Sequence, residues 1–245
     1  MVKAIVFDLD GVLLDSEQLW DAARRALVER QGGRWREDAT TAMQGMSSKE
    51  WSRYLHEQLG VPLGPEEITQ LVVADLLDRY ERELPLQPGA VDAVRRLGAR
   101  WPVGLASSSN RVVIERVVVL AGLRDVFRVI VSSEEVVHGK PSPDVYLAAA
   151  RELGRAPEDC VAVEDSANGI RAAVAARMHV VVVPNRHFPP PHDLVASADL
   201  VVETLDGLTV DVVGSLGDGE SRLDEQEVES FPASDPHSDW AGPSS

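Results

Sequence analysis

Two aspartates stand two residues apart where a short apolar run stops, in Ala4-Ile5-Val6-Phe7-Asp8-Leu9-Asp10-Gly11-Val12. On an extended chain, positions i and i+2 share a face, so both carboxylates can address one site just beyond the end of a strand. Brought together they repel, and a divalent cation, or a proton held on one of them, relieves the repulsion. Both devices serve phosphoryl transfer, in which one carboxylate attacks phosphorus while a second carboxyl moves a proton. Beside a glycine the same residues also suit a turn or a helix cap, and the pair alone leaves both readings open.

Three further polar clusters each follow an apolar, β-like run. Val103-Gly104-Leu105-Ala106 leads into Ser107-Ser108-Ser109-Asn110 and then a helical segment from Arg111. Hydroxyls and backbone N–H groups at such a strand-to-helix turn either cradle an anion or cap the helix. Lys140 lies in His138-Gly139-Lys140-Pro141-Ser142-Pro143-Asp144, where two prolines restrict the backbone from which it projects. Val161-Ala162-Val163 ends in Glu164-Asp165, ahead of Ser166-Ala167-Asn168-Gly169 and an alanine-rich helix over 170–176. Adjacent acids at the end of a buried strand are costly unless neutralised, and ligation of a hard cation is the economical explanation.

The elements that must position these residues are strands of an α/β fold, a Rossmann-like parallel sheet whose carboxyl ends gather separate motifs into one crevice. Residues 180–183 and 200–202 read as the last strands, joined by a loop carrying His187, three prolines and His192. Between Asp15 and Leu84 the period becomes helical: Leu19, Trp20, Ala23, Ala26 and Leu27, then Trp51, Tyr54 and Leu55, then Ile68, Leu71, Val72, Asp75 and Leu76. This segment predicts a small α-helical cap domain over 15–85, inserted into a core of residues 1–14 and 86–216, with hinges near Leu14 and near Pro85, Pro88 and Gly89. Residues 217–245, acidic and rich in Gly, Ser and Pro, predict a disordered tail.

Composition narrows the classes. A chain of 245 residues, 44% hydrophobic, can bury a full core. The formal charge of −16 argues against nucleic acid or an anionic membrane as partner. It also repels phosphate, so the site must create local positive potential from a cation, Lys140 and backbone amides. With no membrane-length apolar run, no signal-peptide pattern and a single cysteine, Cys160, the expectation is a cytoplasmic monomer.

In their order along the chain, the motifs DxDGVxxDSE, an apolar strand ending in Ser, GKPSPDVY and VEDSANGI resemble the haloacid dehalogenase superfamily across residues 1–216. The dehalogenases themselves carry no acid at the place of Asp10, so the resemblance points to the phosphate branch. It implies that Asp8 is the nucleophile and Asp10 the general acid and base. It further implies Mg²⁺ held by Asp8, Glu164, Asp165 and the backbone carbonyl of Asp10, with Ser107, Ser108 and Lys140 holding the transferring oxygens.

The loop Gly45-Met46-Ser47-Ser48-Lys49-Glu50-Trp51 looks like the substrate-specificity loop of this cap class, making Ser48 and Lys49 substrate-binding candidates; its residues equally fit a turn before a Ser-capped helix. Trp20 is a further candidate, able to stack on a sugar face or to serve the core. The β-phosphoglucomutases usually show a histidine near the position of Trp20 and an arginine near that of Ser48, and neither is present. Asp15-Ser16-Glu17-Gln18-Leu19-Trp20-Asp21, with Ala176-Arg177-Met178, looks instead like phosphatases of the 2-deoxyglucose-6-phosphate type. The expectation is a Mg²⁺-dependent phosphatase of small sugar or polyol phosphates, the small phosphorylated metabolite being its partner. A β-phosphoglucomutase-type mutase is the alternative, and a catalytically silent binding protein comes third.

Overall fold

The computed structural model of the chain describes residues 1–43, 46–185 and 188–216. Six strands form one parallel sheet in the order β3-β2-β1-β4-β5-β6. They are β1 (Ala4–Phe7), β2 (Val103–Ser107), β3 (Phe127–Ser132), β4 (Cys160–Glu164), β5 (His179–Val182) and β6 (Leu200–Val201). Every residue of β1, β2 and β4 is buried, which is why these strands read as unbroken apolar runs and not as alternating ones. β3, which the sequence reading leaves unassigned, is an edge strand with Arg128 exposed.

Alternation along β1 feeds two cores. Ile5 and Phe7 join one cluster with α5 (Ala90–Gly98) and α6 (Arg111–Leu120), while Ala4 and Val6 join the other with α7 (Asp144–Glu152) and α8 (Ala167–Ala175). Two short helices, α9 (His192–Val195) and α10 (Val210–Ser215), complete the set after α8. Register pairs Phe7, the last residue of β1, with both Leu105 and Val163, so the residues that follow all three strands gather at one edge of the sheet.

Between β1 and β2 lie the helices of the cap: α1 (Glu17–Arg30), α2 (Ala39–Ala42), α3 (Ser48–Glu57) and α4 (Pro65–Arg82). Trp20, Ala23 and Leu27 of α1 pack with Trp51 and Leu55 of α3 and with Ile68, Val72, Leu76 and Tyr80 of α4. Two residues expected on the inward stripe of α4 lie outside it. Leu71 is 38% exposed because successive helical residues are about 100° apart and Val72 takes the inward position. Asp75 pairs with Arg79 at 2.8 Å.

The entry and exit of the cap are stitched to each other. Leu14 and Leu86 form an antiparallel bridge, and Asp15 N donates to Pro85 O at 2.8 Å. Across the mouth, Ser48 Oγ donates to Asn110 Oδ1 at 2.8 Å, and Arg116 pairs with Glu81. His192 starts α9 instead of lying in a loop, while Gly45, His187 and the tail over 217–245 fall outside the described residues. No helix among the described residues is long and apolar enough to cross a membrane.

Candidate active site

The site forms where β1, β2 and β4 end. Asp8 follows β1 and continues its ladder, its N–H donating to Val163 O at 3.0 Å. Lys140 arrives from the turn ahead of α7, buried to 8% exposure. Its ammonium donates to Asp8 Oδ1 at 2.6 Å, Glu164 Oε1 at 2.6 Å and Ala106 O at 3.1 Å, which satisfies its three protons. It also lies 4.9 Å from the ring centre of Tyr146, whose hydroxyl donates to Glu164 Oε1 at 2.5 Å.

Two glycines make room for the acids. Gly11 adopts φ +87°, and a Cβ there would run into the Asp165 carboxylate; a Cβ on Gly169, in the first turn of α8, would run into Glu164. Ser166 caps that helix, its Oγ accepting from Gly169 N at 3.1 Å.

Burial dominates the electrostatics. It pushes the Asp8 carboxyl up to about 7, with Glu164 and Asp10 adding to the rise and Lys140 opposing it. Asp165 is likewise driven well above the usual carboxylate range by burial, then by Glu164 and Asp8. For Lys140, burial alone would favour the neutral amine, but Asp8 and Glu164 outweigh it and hold the ammonium above its ordinary value.

Oxygens of Asp8, Glu164 and Asp165 lie within 4.8 Å of one another. Asp165 Oδ2 accepts from Asn185 Nδ2 at 2.9 Å, but its buried Oδ1 has no hydrogen-bond partner among the described residues. Three buried carboxylates facing one ammonium call for another positive charge, and an all-oxygen donor set fits a hard cation such as Mg²⁺. The acidic cluster could therefore hold a metal ion.

Asp10 is set apart from that trio. Its Oδ1 accepts from Ser16 Oγ at 2.5 Å and Trp20 Nε1 at 3.1 Å, and its Oδ2 from Ser109 Oγ at 2.5 Å. The Asp10 carboxylate thus turns away from the trio, consistent with the expectation that only its backbone carbonyl would serve a metal. Trp20 is a donor to Asp10 as well as a packing partner of Trp51, the ring centres 6.1 Å apart.

A cavity of ≈ 140 Å³ separates cap from core, lined by Asp8, Asp10 and Lys140 on one side and by Trp20, Ser48 and Trp51 on the other. Ser108 and Ser109 line it, but Ser107 does not. The strand extends one residue beyond the apolar run, so Ser107 is its last member, and its Oγ points back to accept from Ser109 N at 3.0 Å. Lys49 is exposed and does not line the cavity either. Ser48 does, with its hydroxyl engaged by Asn110.

Ser16, Ser109, Tyr146 and Asn185 hold the acids without having been singled out in the sequence. Their partners lie 6 to 99 residues away in the chain, beyond any local pattern.

Residues 2–177 match the family model of haloacid dehalogenase-like hydrolases. Hexitol phosphatase B of Escherichia coli K12 is 38% identical over 189 residues, covering 75% of this chain and 84% of that protein. Fructose-1-phosphate phosphatase YqaB of the same organism is 33% identical over 183 residues, 73% of this chain and 95% of its own length. Among solved structures, CbbY from Rhodobacter sphaeroides in complex with phosphate superposes with a TM-score of 0.75 at 30% identity, covering 85% of this chain and 96% of that one. Sequence and architecture agree along most of the described chain, and on that ground it belongs to the haloacid dehalogenase-like hydrolases.

Proposed function

We propose that this hydrolase is a Mg²⁺-dependent phosphatase of small sugar or polyol phosphate monoesters, working through an aspartyl-phosphate on Asp8. The observation that carries the reading is the contrast between two aspartates two residues apart. Asp8 is buried against Lys140 in the acidic cluster, while Asp10 faces the cavity between three neutral donors. One is placed as a nucleophile and the other as a proton carrier. The hexitol and fructose-1-phosphate phosphatases among the relatives support the substrate class.

In the first half-reaction Asp8 bonds to phosphorus as the bond from phosphorus to the sugar oxygen breaks. Asp10 gives its proton to that departing oxygen. In the second, water attacks phosphorus and passes a proton to Asp10, and the bond to Asp8 breaks to free inorganic phosphate. Held by Asp8, Glu164, Asp165 and the Asp10 backbone carbonyl, Mg²⁺ would supply positive charge to the transferring oxygens. Ser108 lines the cavity to hold those oxygens, and Lys140, bonded to Asp8, would offset their charge from beside the nucleophile. The cap, closed over the site, excludes bulk water.

The test is phosphate release from a panel of sugar, polyol and nucleotide monophosphates with and without Mg²⁺. Release that needs the metal and disappears in Asp8→Asn is expected. Isomerisation of β-glucose 1-phosphate without net release would instead mark the mutase, and no turnover of any kind would overturn the reading.

A further inference from the structure

The cap end of the cavity holds two polar groups that the reaction does not use. Glu17 Oε2 and Arg24 Nε are both buried, and neither has a hydrogen-bond partner among the described residues. Both residues line the cavity, Glu17 as the first residue of α1 and Arg24 about two turns further along it. Orphaned buried polar atoms of this kind are destabilising unless something completes them.

The neighbours show that the surroundings are otherwise complete. The Arg24 guanidinium lies 5.6 Å from the ring centres of both Trp20 and Trp51, so its position is fixed by two aromatic faces. Asp21, beside them, already accepts from Thr40 Oγ1 at 2.6 Å. Burial pushes Glu17 up to about 7 and draws Arg24 down to about 10, the marks of charged groups kept from water.

From this geometry we infer that Glu17 and Arg24 form a hydroxyl-reading subsite, which takes the neutral polyhydroxyl end of a monophosphate and turns away a second phosphate. An alcohol both donates and accepts, so substrate hydroxyls can satisfy Glu17 Oε2 and Arg24 Nε together. A second phosphate would meet Glu17 and Asp21, with Arg24 the cation that lines the cavity there among the described residues. The other basic residue lining the cavity among those described is Lys140, already engaged by Asp8 and Glu164. The inference rests on the phosphatase reading and narrows it toward monophosphates.

The experiment compares kcat/KM for sorbitol 6-phosphate, hexyl phosphate, sorbitol 1,6-bisphosphate and phenyl phosphate in the full-length chain, Glu17→Gln and Arg24→Met. Hexyl phosphate keeps the carbon chain and removes the hydroxyls. The parent protein should prefer sorbitol 6-phosphate over hexyl phosphate, and each variant should shrink that preference by roughly 10- to 100-fold. Glu17→Gln should also raise the bisphosphate relative to the monophosphate. Such a substrate-by-variant cycle cancels general damage to the fold, which lowers all substrates alike. Preferences within about twofold of the parent in both variants, or a parent that accepts the bisphosphate equally well, would overturn the subsite while leaving the phosphatase standing. If Glu17→Gln does not fold, Arg24→Met decides. Turnover of none of the four by the parent protein would overturn both.

Discussion

Trp20 Nε1 and Asp10 Oδ1 are 3.1 Å apart, a hydrogen bond that joins the cap to the aspartate two residues after Asp8. Two more donors, Ser16 and Ser109, come from opposite sides of the cavity, so the orientation of Asp10 depends on cap and core meeting. Trp20→Phe keeps the ring and deletes the donor. The expected result is a fall in kcat of about tenfold on every substrate, phenyl phosphate included, with little change in KM. An unchanged kcat would show that Ser16 and Ser109 alone orient the carboxyl.

Lys140→Met would leave Asp8 and Glu164 buried without their cation. Removing one partner of a buried ion pair costs about 3–5 kcal/mol, so the unfolding free energy at pH 8 should fall by that order and activity should be lost. At pH 5 the loss should be smaller, because protonation of Asp8 relieves part of the stranded charge. A variant as stable as the parent at pH 8 would contradict the role of Lys140 as counter-charge.

The metal-free protein should lose stability as pH rises from 5 to 8. Asp8 is raised from 3.8 to about 7, and Asp165 is raised in the same direction. Between those values the folded state holds protons that the unfolded state has released, so stability falls with pH across that window. Saturating Mg²⁺ should reverse the trend at pH 8, by about 2.7 kcal/mol at a hundredfold excess over Kd. Scanning fluorimetry with EDTA and with Mg²⁺ measures both arms; a Tm at pH 8 that ignores the metal would argue against the site.

Gly169→Ala tests the crowding around Glu164. In an ordinary helix interior this change stabilises by about 1 kcal/mol. Here the new methyl runs into the Glu164 carboxylate, and overpacking should instead destabilise by about 1–3 kcal/mol. Chemical denaturation gives the sign directly, and a stabilised variant would mean that Glu164 is free to move.

The parts legible in the sequence are those encoded locally. β1, β2 and β4 are buried on both faces, so their apolar runs and the polar residues that end them stand out, and Asp8, Lys140, Glu164 and Asp165 do converge. β3 is harder to see because an edge strand tolerates Arg128 on its outer side. The displacement of Ser107 by Ser108 and Ser109 at the cavity turns on one extra residue of strand, since each step along a strand reverses the side-chain direction. The donors to Asp10, and the vacant groups on Glu17 and Arg24, arise only when the cap closes on the sheet.

The bridge between Leu14 and Leu86, with Asp15 bonded to Pro85, means that the chain departs from the sheet and returns to it at one point. An insertion tethered at a single seam can be exchanged for another of different size without re-registering any strand, because both ends are already neighbours. On the proposed reading such an exchange would change the choice of alcohol while keeping Asp8 and Lys140 in place, provided that the new insertion still supplied donors to Asp10 where Ser16 and Trp20 now stand.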